Sequence, residues 1–215
     1  MDIVKLQIQK KRKELLFLFS KVYSGGLRGI DGYVVQVEAD VSDGLPGFYM
    51  VGSLASEVRE AEERVRTAMR NAGFHLSARK ITVNLSPANV RKEGTACDLP
   101  VAIAVLAAYG IVMPSGLKQT GFLGELGLDG KIKPVRGVLS MVLAMAEKGL
   151  ERCFLPEENV EEGVAADCME IVKIRNLQEV VEFLNEPDRI CFERASDLSG
   201  IQAAYGVDFC EVNGQ

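Results

Sequence analysis

A chain of 215 residues, 47% hydrophobic and 26% charged, is long enough to bury roughly 70% of the surface its unfolded form exposes, as one or at most two globular domains. Its formal net charge of −5 excludes a protein that coats nucleic acid over its whole surface and leaves room only for a local basic patch. Five cysteines, none spaced as C-x-x-C, beside the single His75 exclude a zinc framework. The thiols read as reduced, cytoplasmic and packed as small hydrophobes.

Met1 to Glu14 is rich in Lys and Gln, and residues 1–17 read as a mobile or loosely docked extension. The apolar run Leu15 to Phe19 is too short for a signal peptide. Phe17 to Tyr23 reads as a strand ended by Gly25 and Gly26. Tyr33 to Val41 alternates cleanly, Ser42-Asp43-Gly44 is a turn signal, and Leu45 to Val51 reads as the returning strand of a hairpin, weakened at its start by Pro46 and Gly47. Ser53 or Ser56 is then the cap of a helix whose apolar stripe is Val58, Ala61, Val65, Ala68 and Ala72. Glu60 with Arg64 and Glu62 with Arg66 form i,i+4 pairs on its outer face, and Gly73 stops it. A charged face of this kind reads as solvated.

Lys80 to Ser86 alternates as a strand with one face buried, and Ser86 to Ala96 is a polar loop. Asp98 reads as an N-cap with Pro100 near the first helical position, and Leu99 to Val112 carries no charge. A helix apolar all round is buried. The uncharged run to Leu117 is broken by Pro100, Gly110, Pro114 and Gly116, which suits a core helix and not a membrane span. A strand thus delivers a polar loop onto the start of a central helix, a common geometry at functional sites because helix N-termini present free N–H groups.

In the glycine-rich run Gly121 to Gly130, Asp129-Gly130 fits a type I′ turn between Phe122–Leu128 and Lys131–Val135. No helix follows to make it a phosphate loop, and no Walker A motif occurs in the chain. Val138 to Lys148 reads as a helix stopped by Gly149, Arg152 to Leu155 as a strand, and Glu157-Glu158 as a first helical turn. Glu170 to Ile174 reads as a strand, and Leu177 to Leu184 as a helix with Val180, Val181 and Leu184 inward. From Glu186 onward Pro, Asp, Ser and Gly dominate, so residues 186–215 read as a tail or linker. The order of elements implies an α/β or α+β domain, residues 18–185, with one mixed sheet.

Five stretches carry a specific resemblance: GLPGFYMVG (Gly44–Gly52), ERVRTAMRNAGF (Glu63–Phe74), KITVNLSPANVRKEGTACDLPVAI (Lys80–Ile103), FLGELGLDGKIKPVRGVL (Phe122–Leu139) and LPEEN (Leu155–Asn159). Together they resemble the N-terminal domain of ComM/YifB-type, magnesium-chelatase-like AAA+ proteins. That domain is similar in turn to the proteolytic domain of Lon and the C-terminal domain of RadA. The resemblance implies a two-layer Lon-like fold, a mixed sheet with helices packed on one face and a left-handed βαβ crossover, against the usual rule. It also implies an AAA+ ATPase core starting near Val212-Asn213-Gly214-Gln215. The chain therefore reads as a fragment ending before its motor, with ATP and magnesium expected in that further domain and no cofactor in this chain.

A Lon-type peptidase needs a serine nucleophile and a lysine base. In the run Lys92-Glu93-Gly94-Thr95-Ala96 the nucleophile position is Ala96, and the base position after Gly137 is Leu139; neither can do the chemistry. Thr95 and Ser140 are one residue off. Cys97 is a nearby nucleophile with no histidine close in sequence, and it reads as a buried thiol. The motif residues Gly94, Asp98, Pro100, Gly124, Asp129, Gly130 and Gly137 then keep the scaffold.

The resemblance implies a non-catalytic domain of a ring-forming, hexameric, cytoplasmic AAA+ helicase in DNA branch migration, transformation or recombination. Its expected partners are other copies of itself and single- or double-stranded DNA, with no membrane. The basic candidates for DNA or subunit contact are Arg79, Lys80, Arg91, Lys92, Lys131, Lys133 and Arg136, against the plainer reading of scattered surface charges. The alternatives are a pure oligomerisation or partner-binding module, and a chelatase-related ATPase subunit, for which no carboxylate/histidine cluster is visible.

Overall fold

The computed structural model describes residues 18–186 and 191–193; the expected extension and nearly all of the expected tail lie outside them. The elements are β1 (Phe19–Arg28), β2 (Asp31–Ser42), β3 (Gly47–Val51), α1 (Ser56–Asn71), β4 (Lys80–Ser86), α2 (Asp98–Ala108), β5 (Thr120–Phe122), β6 (Glu125–Leu126), β7 (Ile132–Lys133), α3 (Val138–Glu147), β8 (Arg152–Pro156), α4 (Val160–Val164), β9 (Glu170–Ile174) and α5 (Leu177–Asn185). Seven strands form one mixed sheet in the order β3-β4-β2-β1-β5-β8-β9, and β6-β7 is a separate hairpin.

The hairpin of the main sheet is β1-β2, paired from Phe19↔Asp40 to Arg28↔Asp31. This differs from the expected hairpin of Tyr33–Val41 with Leu45–Val51. Both edges of β2 are taken, by β1 and by β4, so β3 pairs parallel with β4 instead, from Gly47↔Lys80 to Val51↔Asn84. β1 also runs on through Gly25 and Gly26, because β2 holds its backbone along the whole length.

Alternate residues of the strands serve two cores. Val35, Val37, Ala39 and Val41 share one core with α1, α2 and α5, while Cys153, Leu155 and Ile171 share the other with α3, α4, Leu123, Met141 and Met145. The mixed α/β sheet is as expected; its helices are shared between the two faces and not gathered on one. Glycine makes the second face accessible to α3. A Cβ at Gly25 would lie 2.5 Å from the Met141 Cβ, and one at Gly32 would lie 2.0 Å from the Ser140 carbonyl oxygen. Every residue of α2 is buried, as a helix without a polar face requires. Leu99, Ile103 and Leu106 are fully buried there, each contributing about 1.5–3 kcal/mol of transfer free energy.

Helix boundaries hold further differences. Neither Ser53 nor Ser56 is the cap of α1: the cap position is Ala55, with no side-chain cap. The backbone substitutes, since Ala55 N–H donates to the Lys92 carbonyl at 3.0 Å and Lys92 N–H donates to the Ser53 carbonyl at 2.8 Å. Asn176 caps α5, accepting from the Glu179 N–H at 2.9 Å. In the small hairpin Gly127 N–H bonds the Lys131 carbonyl at 2.8 Å and Gly130 has φ +83°. Among the described non-glycine residues positive φ occurs at Leu18, Gln119 and Asp167, so Asp129 is not left-handed. A type I′ turn needs two left-handed residues; the loop Leu128-Asp129-Gly130 is instead the three-residue kind closed by one left-handed glycine. Phe122 belongs to β5 of the main sheet.

Candidate functional site

The loop from β4 to α2 is held at its middle. Leu54 and Lys92 form a parallel bridge, which extends the β3 direction and turns the Lys92 side chain inward. Lys92 is 1% exposed, and its ammonium donates to the Pro87 carbonyl within the same loop. Burial lowers its pKa below the ordinary lysine range, with the nearby Cys97 acting in the other direction. Lys92 therefore does not belong to the basic surface expected of it; it is an internal strut of the loop.

Beyond Lys92 the loop forms one wall of a cavity of about 420 Å³, lined by Glu93, Gly94, Thr95 and Ala96, by Leu27 of β1, and by Glu125, Val135, Arg136 and Met141. Val135 is fixed by Asn159, whose side chain accepts from its N–H at 2.8 Å and donates to its carbonyl at 2.9 Å. Thr95 hydrogen-bonds Glu125, and this bond, with Lys133 beside it, holds the Glu125 carboxyl below its usual range. Lys133 Nζ lies 3.3 Å from Glu125 Oε1. The rim thus carries two carboxylates beside Lys133 and Arg136, without a strong excess of either charge.

Ala96 stands on this cavity, presenting a methyl group where a nucleophile is expected. Leu139 does not line it. It lies on the first turn of α3, 39% exposed, and its N–H donates to Glu162 Oε1 at 3.0 Å. Cys97 is buried, with Sγ 3.9 Å from Ser24 Oγ. Desolvation pushes its thiol up to about 12, so it carries almost no thiolate at neutral pH.

Asp98 is not an N-cap. The cap position is Cys97 without a side-chain bond, and the Asp98 carboxylate is turned to Arg64, Nε to Oδ2 at 2.9 Å and Nη2 to Oδ1 at 3.1 Å. The Leu99 N–H donates to the Gly124 carbonyl at 3.1 Å. This start of α2 is closed by protein groups, not open to an anion. Reading Arg64 as the partner of Glu60 missed this contact, because its true partner lies 34 residues away.

The expected basic residues are not gathered into one surface: Lys133 and Arg136 share the rim of the cavity, with Arg91 next to its lining residue Glu93, and the others lie apart. Arg79 and Lys80 stand at the start of β4, and Arg91 lies beyond its end, roughly 20 Å of strand away. Four of them face carboxylates: Arg79 with Asp43 at 3.0 Å, Arg91 with Glu93 at 3.9 Å, Lys131 with Asp129 at 3.4 Å and Lys133 with Glu125. Among the described residues no group of three or more His, Cys, Asp or Glu side chains is placed to hold a metal ion, and no helix is long and apolar enough to cross a membrane.

A family model described as subunit ChlI of Mg-chelatase matches residues 37–159, more than half of the chain. The chain belongs to this family. Within it the chain is of the ComM/YifB type, magnesium-chelatase-like and related to the AAA+ ATPases. It is 39% identical over 200 residues to the competence protein ComM of Haemophilus influenzae, with 90% of this chain and 38% of that protein covered. It is 34% identical over 196 residues to the uncharacterized protein YifB of Escherichia coli, with 91% and 38% covered. It is 26% identical over 167 residues to a Lon protease of Mycolicibacterium smegmatis, covering 73% of this chain and 21% of that one. The chain thus spans about two-fifths of the length of the two magnesium-chelatase-like relatives.

Proposed function

We propose that this chain is the non-catalytic N-terminal domain, residues 18–185, of a ring-forming AAA+ ATPase that acts on DNA, serving assembly and DNA contact. The observation that carries the reading is the cavity beside Ala96. A Lon-like loop is kept, its nucleophile position is a methyl group, and the base position, Leu139, is both apolar and off the cavity. Removing such paired groups costs a hydrolase several orders of magnitude in rate, so the cleft serves contact and not cleavage. The name of the Haemophilus relative, a competence protein, favours DNA transformation or recombination as the setting. ATP and magnesium would be held by an AAA+ domain and not by the residues of this chain, and the ring would be a hexamer working in the cytoplasm. The test is ATP hydrolysis by the full-length protein with and without DNA. Stimulation by DNA is the expected result; hydrolysis indifferent to single- and double-stranded DNA would overturn the reading.

A second reading, an oligomerisation module with no DNA contact of its own, is favoured by the dispersal of the basic residues and by their carboxylate partners. Sedimentation of the chain distinguishes the two: a stable ring without DNA affinity supports the module.

A further inference from the structure

A second cleft lies at the other end of α1 and β4. It has a volume of about 440 Å³ and opens between the C-terminal half of α1, the segment Phe74 to Arg79 and the start of β3. Its walls carry Arg66 and Arg70, one turn apart on the same face of α1, together with Arg79 and His75. Among the described residues Glu63 is the one acidic residue lining it. With Asp43 paired to Arg79 at its edge, three guanidinium groups stand against two carboxylates, a local positive excess in a chain of net charge −5.

The ion pairs at this cleft are weak. Arg66 meets Glu63 at 3.2 Å and Arg79 meets Asp43 at 3.0 Å, and both carboxylates are largely exposed to solvent, where such pairs are screened and easily exchanged. A phosphate would replace them with charge-assisted, bidentate bonds from the guanidinium forks. The lining also holds Phe74 and Tyr109, both half-buried, and the volume falls in the usual range of ligand sites, about 300–1,000 Å³. Guanidinium groups along a groove beside aromatic rings are the combination that grips a single strand, the charges tracking phosphates and the rings stacking bases.

We propose that this cleft binds the backbone of a single-stranded nucleic acid, with Arg66, Arg70 and Arg79 on the phosphates. The choice of nucleic acid over a free phosphate rests on the DNA-acting reading above. The contact is distinct from the cavity at Ala96 and uses Arg66 and Arg70, on the charged face of α1 that reads as solvated in the sequence.

The test is fluorescence anisotropy of a labelled oligothymidylate of about 20 nucleotides with the full chain, across a series of salt concentrations. The wild type is expected to bind with strong salt dependence. Arg70→Glu weakens binding at least about tenfold and reduces the log–log salt slope by about one, whereas Lys148→Glu, on the far face, leaves both unchanged. Arg70 is exposed, so an unchanged thermal unfolding curve shows that the variant still folds. An Arg70→Glu chain that binds as the wild type does, or a wild type that does not bind, overturns the proposal. Saturable binding of inorganic phosphate without oligonucleotide binding overturns the assignment to nucleic acid. DNA-stimulated ATPase activity in the full-length protein alongside a negative anisotropy result removes this cleft alone; loss of that stimulation removes the function proposed above.

Discussion

Arg64 of α1 grips Asp98 at the start of α2 with two parallel bonds, Nε to Oδ2 at 2.9 Å and Nη2 to Oδ1 at 3.1 Å. Asp98 is 1% exposed and Arg64 22%, and Oδ2 also accepts from the Leu126 N–H at 3.3 Å. One carboxylate therefore ties together α1, α2 and the β6-β7 hairpin, the three elements that frame the loop at Ala96. Arg64→Ala leaves this carboxylate buried without its cation and is expected to cost about 3–5 kcal/mol, read as a shift of the urea midpoint. A loss below about 1 kcal/mol, the range of an exposed pair, would mean that the fork does not hold the helices.

The same pair has a pH signature. Burial holds the Asp98 carboxyl above its usual range even though the Arg64 hydrogen bond lowers it. Without Arg64 it rises further. A carboxyl whose folded pKa lies above its unfolded value binds its proton more tightly when folded, so its contribution is complete below the unfolded pKa and is lost as pH rises through the folded one. The gap in stability between Arg64→Ala and the wild type is thus expected to narrow on acidification from pH 7 towards about 4. Urea titrations at both ends of this window check it; a gap that stays constant or widens contradicts it.

Gly32 sets the distance between β2 and α3. Gly32→Ala places a Cβ against the Ser140 carbonyl, a backbone atom that cannot swing aside, and overpacking of this kind costs about 1–3 kcal/mol. Gly29→Ala is the control. Its φ is +66° with open space around it, so only the left-handed backbone is penalised, by about 1–2 kcal/mol. Thermal unfolding with α3-directed hydrogen exchange separates them: Gly32→Ala loosens α3, and Gly29→Ala leaves its exchange protection at the wild-type level.

The thiols divide by burial. Cys97 and Cys153 are buried and Cys168 and Cys191 exposed, and desolvation raises the pKa of both buried thiols. Brief treatment of the native protein with iodoacetamide, followed by peptide mass mapping, is expected to label Cys168 and Cys191 and to spare Cys97 and Cys153 until denaturant is added. Rapid labelling of Cys97 would restore it as a candidate nucleophile.

Much of the fold is legible in the sequence where the signal is local. The alternation in Tyr33–Val41 and Lys80–Ser86, the stripe of α1 and the uncharged run of α2 each name their element, because each pattern reports one buried face. Pairing is not local. Ser42-Asp43-Gly44 reads as a hairpin turn, yet the partner of β2 on that side is β4, which arrives only after α1. Lys92 in a polar loop reads as exposed, and nothing in the sequence shows that the chain folds it onto the carbonyl of Pro87. Asp98 before an apolar run reads as a cap, and its cation on another helix is invisible until the helices pack. Ala96 and Leu139 are singled out only by the resemblance to the family motif, since an alanine and a leucine carry no chemical signal of their own.

A Lon-like cleft kept without its chemistry, as proposed above, cannot cleave an unstructured protein, and incubation of the chain with casein is the decisive measurement. The expected result is no cleavage above a protein-free blank over hours. Steady proteolysis that disappears in Thr95→Ala or Cys97→Ala would contradict it, by showing that a neighbour has taken over the place Ala96 leaves empty.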